Sequence, residues 1–155
     1  MKRDELDLSD VAYVEPPKTA EAQRTKVRRG DVLLSITGDL GRTAVVPDGI
    51  GDAYINQHLS ILRSSKIEPR YLSAAISSRA GQMAVQAKNR EGVKAGLNFD
   101  DVRSLRIPDV DLGLQRAFAA RVAEIDSLKA HHRTHAAKLD LLFASLQHRA
   151  FRGEL

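Results

Sequence analysis

The sequence of 155 residues contains no cysteine and no tryptophan, and aromatic residues make up only 5% of it. The absence of cysteine excludes disulfides, thiolate zinc sites, iron–sulfur clusters and a cysteine nucleophile. No apolar run approaches the roughly 20 residues that a membrane-spanning helix needs. The first six residues also lack the apolar segment of a signal peptide. We therefore expect a soluble, cytoplasmic protein that does not enter a membrane.

The excess of positive over negative charge is also small in this chain. Its 24 Lys and Arg residues stand against 20 Asp and Glu residues, which leaves a formal net charge of +4. Such a balance permits a nucleic-acid partner without requiring one. The scarcity of aromatic side chains favours duplex binding over a surface that stacks single-stranded bases.

Three short β-rich segments lie in the first half of the chain, at residues 32–36, 43–46 and 58–63. The links between them are short, which favours antiparallel pairing. A helix is predicted from Pro69 to about residue 88, then a helical turn capped by Asn98, and a last strand at residues 105–108. These features predict an α+β fold, with a small mixed or antiparallel β-containing domain over residues 1–110.

A long helix is predicted for residues 111–155, because no proline or glycine occurs between Gly113 and Gly153. At 1.5 Å per residue, about 40 residues of helix extend roughly 60 Å. A heptad repeat places a largely apolar stripe along it, and a lone helix would leave that stripe in water. The pattern therefore predicts a coiled coil and a homodimer through this helix. The predicted partner seam consists of Phe118, Ile125, Leu128, His132, His135, Leu139, Leu142 and Leu146, with Arg121 and Arg149 at its ends.

Motifs for catalysis are mostly missing. Residues 38–43 contain two glycines but lack the Gly-Lys-Ser/Thr ending of a phosphate loop, so a turn between strands is favoured over a DNA-contacting turn. No Gly-x-Ser-x-Gly nucleophile motif occurs either. Four aspartates could suggest a metal-dependent nuclease, but no lysine follows them on a buried strand, and turn or cap roles are favoured. These aspartates are Asp31, Asp39, Asp48 and Asp52.

The one histidine cluster lies in the long helix. His131 and His135 have metal-ligand spacing, but a zinc hydrolase helix would have Glu at the position of His132. A polar patch in the seam is the favoured interpretation, since polar seam residues fix the register of a coiled coil. We expect no catalytic residue, no cofactor and no metal site.

A polar loop offers the best candidate contacts with a ligand. It combines lysine, arginine and asparagine, the side chains that bind phosphates and base edges, although a solvated loop is an equally good interpretation. The predicted DNA-binding residues are Arg42 and Thr43 in the turn, Lys88, Asn89, Arg90 and Lys94 in the loop, and Asn98 after it.

Several segments resemble, in the same order, signatures of the specificity subunits of Type I restriction–modification enzymes. The resemblance extends from about Tyr13 to the last residue and depends on the order of the segments rather than on any one of them. The segments are Gly30-Asp31-Val32-Leu33, Asn56-Gln57-His58 with Leu62-Arg63, Tyr71-Leu72, Leu97-Asn98, Ile107-Pro108 with Gln115-Arg116, and Ala150-Phe151-Arg152-Gly153-Glu154-Leu155.

This resemblance implies a non-catalytic subunit that recognises double-stranded DNA. Members of the family have two target-recognition domains joined by two antiparallel helices, and they bind methyltransferase and restriction subunits. Because one recognition unit and one helix are present, we expect a half-length or N-terminally truncated form whose domain lacks its front part. The link at residues 107–112 also lacks the family's second proline.

A second hypothesis from a different class is a protein-interaction module. In this interpretation the helix still binds partner subunits, but DNA reading is weak or lost. The acidic first fifteen residues and the small net charge favour it. A nuclease or other hydrolase is a much weaker third hypothesis.

Overall fold

A computed structural model describes residues 6, 8, 9, 11–15, 18–89 and 96–154, and the chain divides into two compact units, residues 1–116 and 117–155. The boundary between the units falls inside the last helix. The elements in chain order are α1 (Ala20–Thr25), β1 (Val32–Ser35), β2 (Thr43–Val45), β3 (Leu59–Leu62), α2 (Pro69–Ser77), α3 (Arg79–Ala87), α4 (Phe99–Arg103) and α5 (Leu112–Phe151).

The three strands form one antiparallel sheet in the order β2-β1-β3. Val32 of β1 lies opposite Val45 of β2 on one side and Leu62 of β3 on the other. Since β1 is central and all four of its residues are buried, it forms the middle of the domain. The predicted α+β fold, with an antiparallel sheet and a long C-terminal helix, is confirmed.

Two apolar clusters cover the two faces of β1, because successive side chains of a strand point to opposite faces. Leu33 packs with Val27 and Val46 on one face. The larger cluster covers the other face and joins β1 to α2, to α3 and to Leu97. Its buried members are Val32, Leu34, Ile36, Leu40, Leu72, Ile76, Val85 and Leu97.

The single helix predicted from Pro69 to residue 88 is interrupted at Ser78. This residue has an extended backbone (φ −62°, ψ 161°), and its Oγ accepts a hydrogen bond of 3.1 Å from the N–H of Gly81. Ser78 therefore caps α3 rather than continuing α2. Gly81 is needed here because a Cβ atom would collide with the carbonyl oxygens of Ala75 and Ile76.

The strand predicted at residues 105–108 is wrong. Leu105 and Ile107 pack against the larger cluster while Arg106 and Pro108 are exposed, but the segment has no regular secondary structure. Its alternating pattern comes from packing without strand pairing, and Pro108 has no N–H to donate. Asn98 does cap a helical turn as predicted, within a capping box completed by Asp101.

The helix α1 is not predicted from the sequence. It begins after Thr19, whose Oγ1 accepts a hydrogen bond of 3.2 Å from the N–H of Ala22. The residues around it show no clear apolar period, but Ala22 is buried and Val27 follows in the smaller cluster. Packing of two side chains is therefore enough to hold this short helix.

The helix α5 is 40 residues long, as the spacing of Gly113 and Gly153 predicts. Every residue from 127 to 151 is exposed, including the apolar seam residues; Leu139 and Leu142 are 65% and 55% exposed. In the part of the chain that the structure describes, no helix has both the length and the apolar character to span a membrane.

Candidate nucleic-acid interface

A polar cleft of about 510 Å³ opens where β1 ends and β3 begins. It lies at the end of the sheet where the turn between β1 and β2 is located. Six of its seven lining residues are polar or charged, which is the composition expected of a surface that reads hydrogen-bonding groups. The lining residues are Ser35, Thr37, Asp39, Arg42, Asn56, His58 and Leu59.

The turn from β1 to β2 forms one wall of the polar cleft. Gly38 and Gly41 have φ values of 69° and 78°, a conformation that residues with a Cβ atom rarely adopt. The Ser35 hydroxyl donates to the carbonyl of Asp39 at 2.6 Å, and the N–H of Gly41 donates to the carbonyl of Ser35 at 3.0 Å. These bonds fix the turn and place Asp39 and Arg42 on the cleft wall.

The opposite wall is the loop before β3. The Oγ1 of Thr37 lies 2.6 Å from Nδ1 of His58, and the backbone N–H of His58 donates to Oδ1 of Asn56 at 3.1 Å. Nε2 of Gln57 lies 3.4 Å from Nε2 of His58. Asn56, Gln57 and His58 are all exposed, and their amides and imidazole supply both donors and acceptors. That mixture is what recognition of base edges requires.

Arg42 lies on the cleft wall, where the sequence predicts a DNA contact. Its guanidinium forms an ion pair with Asp39, and its side chain is 41% exposed. Asp39 therefore orients Arg42 while leaving a side chain of the type that binds guanine edges and phosphates at the surface.

Thr43 does not lie on this surface. It is fully buried, and its hydroxyl makes hydrogen bonds of 3.2 Å to the carbonyl of Ser73, 2.8 Å to Oγ of Ser73 and 2.8 Å to Oγ of Ser77. These bonds join β2 to α2. Thr43 is therefore a packing residue, and its predicted contact with DNA is wrong for the side chain, because strand β2 turns it toward the helix.

The basic loop (residues 88–96) follows α3. Lys88 is half-buried and forms the C-cap of α3. Oδ1 of Asn89 is buried and has no hydrogen-bond partner among the residues that the structure describes. The predicted DNA-binding residues Arg90 and Lys94 lie outside the described residues.

Both ends of the basic loop are held beside the turn that carries Arg42. Before the loop, Nε2 of Gln82 in α3 donates to the carbonyl of Gly41 at 2.9 Å. At the end of the loop, Gly96 forms an antiparallel bridge with Thr37, and directly after it the N–H of Leu97 donates to the carbonyl of Ile36 at 2.9 Å. The β1–β2 turn and the residues that flank the basic loop are thus anchored together at one end of the sheet.

Asn98 is exposed, but its side-chain oxygen is already used. It accepts a hydrogen bond of 2.7 Å from the N–H of Asp101, and the N–H of Asn98 donates to the Asp101 carboxylate at 3.0 Å. Asp100 and Asp101 are exposed or half-exposed next to it, and carboxylates repel phosphates. The structure therefore gives Asn98 a capping role and places it in an acidic rather than a basic setting.

Aspartates in the turns pair with many of the basic side chains of the globular unit. Nζ of Lys26 lies 2.6 Å from Asp52, and the hydrogen bond to this carboxylate raises the pKa of Lys26. Arg29 pairs with Asp48 at 2.7 Å. Across the described residues, no group of three or more His, Asp or Glu side chains could hold a metal ion. The turn aspartates thus have ion-pair roles, and the modest basic excess is partly neutralised.

No family model matches the chain. A curated relative is the Type I restriction enzyme EcoBI specificity subunit of Escherichia coli, which is 27% identical over 159 residues. The alignment covers 97% of this chain and 33% of that protein. The chain is similar to a Type I specificity subunit. The predicted family resemblance is therefore confirmed, and the chain spans about a third of the length of the relative it matches.

The segments that resemble specificity subunits are held together by internal contacts. Asp31 is 2% exposed and accepts two hydrogen bonds of 2.6 Å from Arg63, whose pKa this carboxylate raises. The N–H of Arg28 donates to the same carboxylate at 2.7 Å, across a turn in which Gly30 has φ 79°. The Gly30-Asp31 and Leu62-Arg63 segments are therefore joined through the buried carboxylate of Asp31.

Two further segments that resemble specificity subunits, Tyr71-Leu72 and Ile107-Pro108 with Gln115-Arg116, meet where α5 begins. The hydroxyl of Tyr71 donates to the carbonyl of Pro108 at 3.0 Å. Gln115 is 5% exposed; its Nε2 donates to the carbonyl of Val110 at 2.7 Å, and its Oε1 accepts from the N–H of Glu68 at 2.9 Å. These contacts fix the link into the long helix, so the resembling segments have structural roles in this chain.

Asn56-Gln57-His58 differs from the other segments because its residues are exposed, and Asn56 and His58 line the polar cleft. These three residues are not among the predicted DNA-binding residues. Three consecutive side chains with both donors and acceptors, placed directly before a strand, are the sequence signal that could have identified them.

Proposed function

We propose that this chain recognises duplex DNA as a specificity subunit of a cytoplasmic Type I restriction–modification complex. In this role it positions methyltransferase and restriction subunits and has no catalytic centre of its own. The observation that carries the proposal is the alignment of 97% of the chain with the specificity subunit of Escherichia coli. The polar cleft and the basic loop supply a surface of suitable chemistry.

DNA reading is assigned to the polar cleft. Asn56, Gln57 and Arg42 have side chains whose donors and acceptors match adenine and guanine edges in the major groove. His58 adds an imidazole held at 2.6 Å from Thr37, so its orientation is fixed before DNA arrives. A side chain that is already oriented loses less entropy on binding.

Phosphate contacts are assigned to the basic loop. Lys88, Arg90 and Lys94 lie within seven positions of one another, and the ends of the loop are anchored at the turn of Arg42. Contacts with phosphates position a protein on the duplex, while contacts with base edges provide specificity. The two surfaces would therefore work together, with the loop on the backbone and the cleft in the groove.

Assembly is assigned to α5. Its apolar residues are exposed along the whole of residues 127–151, so burying them against another helix is favourable. We propose a homodimer in which two copies of α5 pack antiparallel and also bind the methyltransferase subunits. A two-fold dimer presents two identical recognition surfaces, and it reads two identical half-sites in inverted orientation.

The deciding experiment maps DNA methylation in cells that carry this chain together with a Type I methyltransferase subunit. We expect one methylated motif made of two identical, inverted half-sites separated by a spacer. An Asn56→Ala/His58→Ala variant removes two cleft side chains and is expected to lose or alter the motif, while a Lys66→Ala variant serves as a control. Absence of any new methylated motif, with the complex assembled in the same cells, would contradict the proposal.

A second candidate function is the protein-interaction module. The pairing of Lys26, Arg29 and Arg42 with neighbouring aspartates favours it, because a paired cation attracts phosphate less strongly. In that case the chain would co-purify with the methyltransferase subunit through α5, and the complex would bind duplex DNA no more tightly with this chain than without it. Fluorescence anisotropy with a labelled duplex at several salt concentrations separates the two functions.

A further inference from the structure

The seam of α5 is complementary to itself about a midpoint between His132 and His135. We propose that two copies of α5 pair antiparallel around this midpoint, and that His132 and His135 of each copy together form a binding site for a divalent transition-metal ion such as zinc. This inference rests on the homodimer of the proposed function and adds to it a register and a ligand.

The seam consists of two rows of heptad positions, and the members of the two rows are Phe118, Ile125, His132, Leu139 and Leu146 in one and Arg121, Leu128, His135, Leu142 and Arg149 in the other. Antiparallel pairing places each residue of one row opposite a residue from the other row of the second copy. When the midpoint lies between His132 and His135, histidine meets histidine, the next two layers on each side are apolar, and only the two outermost layers pair an arginine with an apolar residue. The matched pairs from the centre outward are His132 with His135, Leu128 with Leu139, Ile125 with Leu142, Arg121 with Leu146 and Phe118 with Arg149.

Other antiparallel registers lose this match. A shift of one heptad places His132 opposite Leu142 and His135 opposite Leu139. An imidazole buried against an apolar side chain has no hydrogen-bond partner, and an unpaired buried polar group destabilises the dimer. In the register centred on the two histidines, each imidazole faces an imidazole of the second copy rather than an apolar side chain.

Parallel pairing is disfavoured by the arginines. In a parallel dimer Arg121 meets Arg121 of the second copy and Arg149 meets Arg149, so like charges lie opposite each other in the seam. In the antiparallel register each arginine meets Leu146 or Phe118. Its aliphatic stem can then lie along the apolar side chain while the guanidinium stays in water. The helix dipoles also oppose each other favourably in this orientation.

One chain alone does not supply enough ligands for a metal site. His132 and His135 are three positions apart on one face of α5 and both are exposed. No group of three or more possible ligands exists among the described residues of a single chain. A second copy raises the number of imidazoles at the midpoint to four, which is the usual coordination number of a structural zinc ion. The proposed site departs from the expectation of no metal site.

The test uses the full chain with zinc chloride as the only added ligand. Isothermal titration calorimetry is expected to give one zinc ion per two chains. Analytical ultracentrifugation is expected to show a dimer dissociation constant that falls roughly tenfold or more when zinc saturates the site. A His132→Asn/His135→Asn variant keeps the seam polar and is expected to dimerise without responding to zinc. A His148→Ala variant, whose histidine is exposed outside the seam, should behave like the unaltered chain.

The register is tested separately with spin labels, since the chain has no cysteine that would be labelled by accident. Single cysteines at Thr134 and Gln147 receive a nitroxide. In the proposed register the two labels at position 134 are close together, whereas those at position 147 are about 40 Å apart along the helix axis. A parallel dimer gives short distances at both positions and overturns the inference.

The outcomes distinguish this inference from the function on which it rests. A dimer with the expected distances but no zinc binding, or zinc binding that persists in the His132→Asn/His135→Asn variant, overturns the metal site alone. A chain that stays monomeric at micromolar concentration with and without zinc overturns the homodimer, and the inference with it. DNA binding by the polar cleft is measured independently and is unaffected by either result.

Discussion

The globular unit buries both faces of its central strand, whereas the helical unit leaves its apolar stripe in water. Leu34 of β1 is fully buried, while Leu139 of α5 is 65% exposed. The first unit holds its shape through its own contacts. The second is a single helix, and isolated helices owe most of their stability in proteins to packing against a partner. The chain thus combines a unit that has its own buried core with a helix whose apolar stripe is exposed.

The largest expected effect tests the globular unit at the ion pair between the buried Asp31 and the exposed Arg63. Replacing Asp31 by Asn removes the charge from a buried side chain that accepts hydrogen bonds from Arg28 and Arg63, and it should lower the free energy of unfolding by about 2 kcal/mol. Urea denaturation followed by circular dichroism of a chain truncated after Arg116 measures it. Asp48→Asn breaks an exposed pair with Arg29 and should change this free energy by less than about 0.5 kcal/mol. Equal effects of the two substitutions would show that the burial of Asp31 does not strengthen the contribution of its ion pair to stability.

The helical unit should respond to substitution only through its partner. Leu128→Ala removes an apolar seam residue from each copy, and we expect the dimer to weaken by about 2 kcal/mol, or roughly 30-fold. Leu141→Ala makes the same chemical change outside the seam, at a residue that is 72% exposed. Sedimentation equilibrium compares the two variants. If Leu141→Ala weakened the dimer as much as Leu128→Ala, the assigned seam would be wrong.

The fold was predictable wherever one period of apolar residues dominates. The strand β3 follows from an alternating pattern, β1 and β2 follow from short β-rich runs bounded by glycine and proline, and α5 follows from its heptad pattern and the absence of both residues between Gly113 and Gly153. The break at Ser78 was not predictable, because the apolar residues on either side of it continue a helical period. Only the close approach of Gly81 to the end of α2 requires the break. Such contacts arise from tertiary packing and leave no periodic signal.

The candidate site was predictable only in part, for a similar reason. Arg42 and Thr43 are neighbours in sequence, and both could contact DNA by residue type. The pleat of β2 turns Thr43 inward to Ser73 and leaves Arg42 at the surface. Asn56 and His58 lie in a loop, where no period indicates which side chains converge. Their proximity to Thr37 depends on the pairing of β3 with β1.

A smaller effect is expected for two neighbouring residues of the globular unit, Arg42 at the surface and Thr43 in the core. Arg42→Ala should weaken binding of the cognate duplex roughly tenfold and leave stability almost unchanged, since one bidentate contact with a base is worth about 1–3 kcal/mol. Thr43→Val should do the reverse: it removes a buried hydroxyl, lowers the free energy of unfolding by about 1 kcal/mol and leaves DNA affinity unchanged. Fluorescence anisotropy and urea denaturation of both variants measure the two quantities. Loss of DNA affinity in folded Thr43→Val would return this residue to the interface.

The smallest effect concerns phosphate contacts, and it separates the basic loop from the rest of the surface. Lys88→Ala/Lys94→Ala removes two cations, so the slope of log affinity against log salt concentration should become shallower by about 0.9 for each lysine that contacts a phosphate. Affinity should fall similarly for cognate and unrelated duplexes, because phosphates carry no sequence information. Lys66→Ala is the control, since Lys66 is exposed beyond the end of β3 that lies away from the polar cleft. A slope that changes equally in the control would mean that general charge, rather than the basic loop, attracts DNA. In that case the globular unit would contribute only its polar cleft to DNA binding, and a partner subunit would have to supply the phosphate contacts.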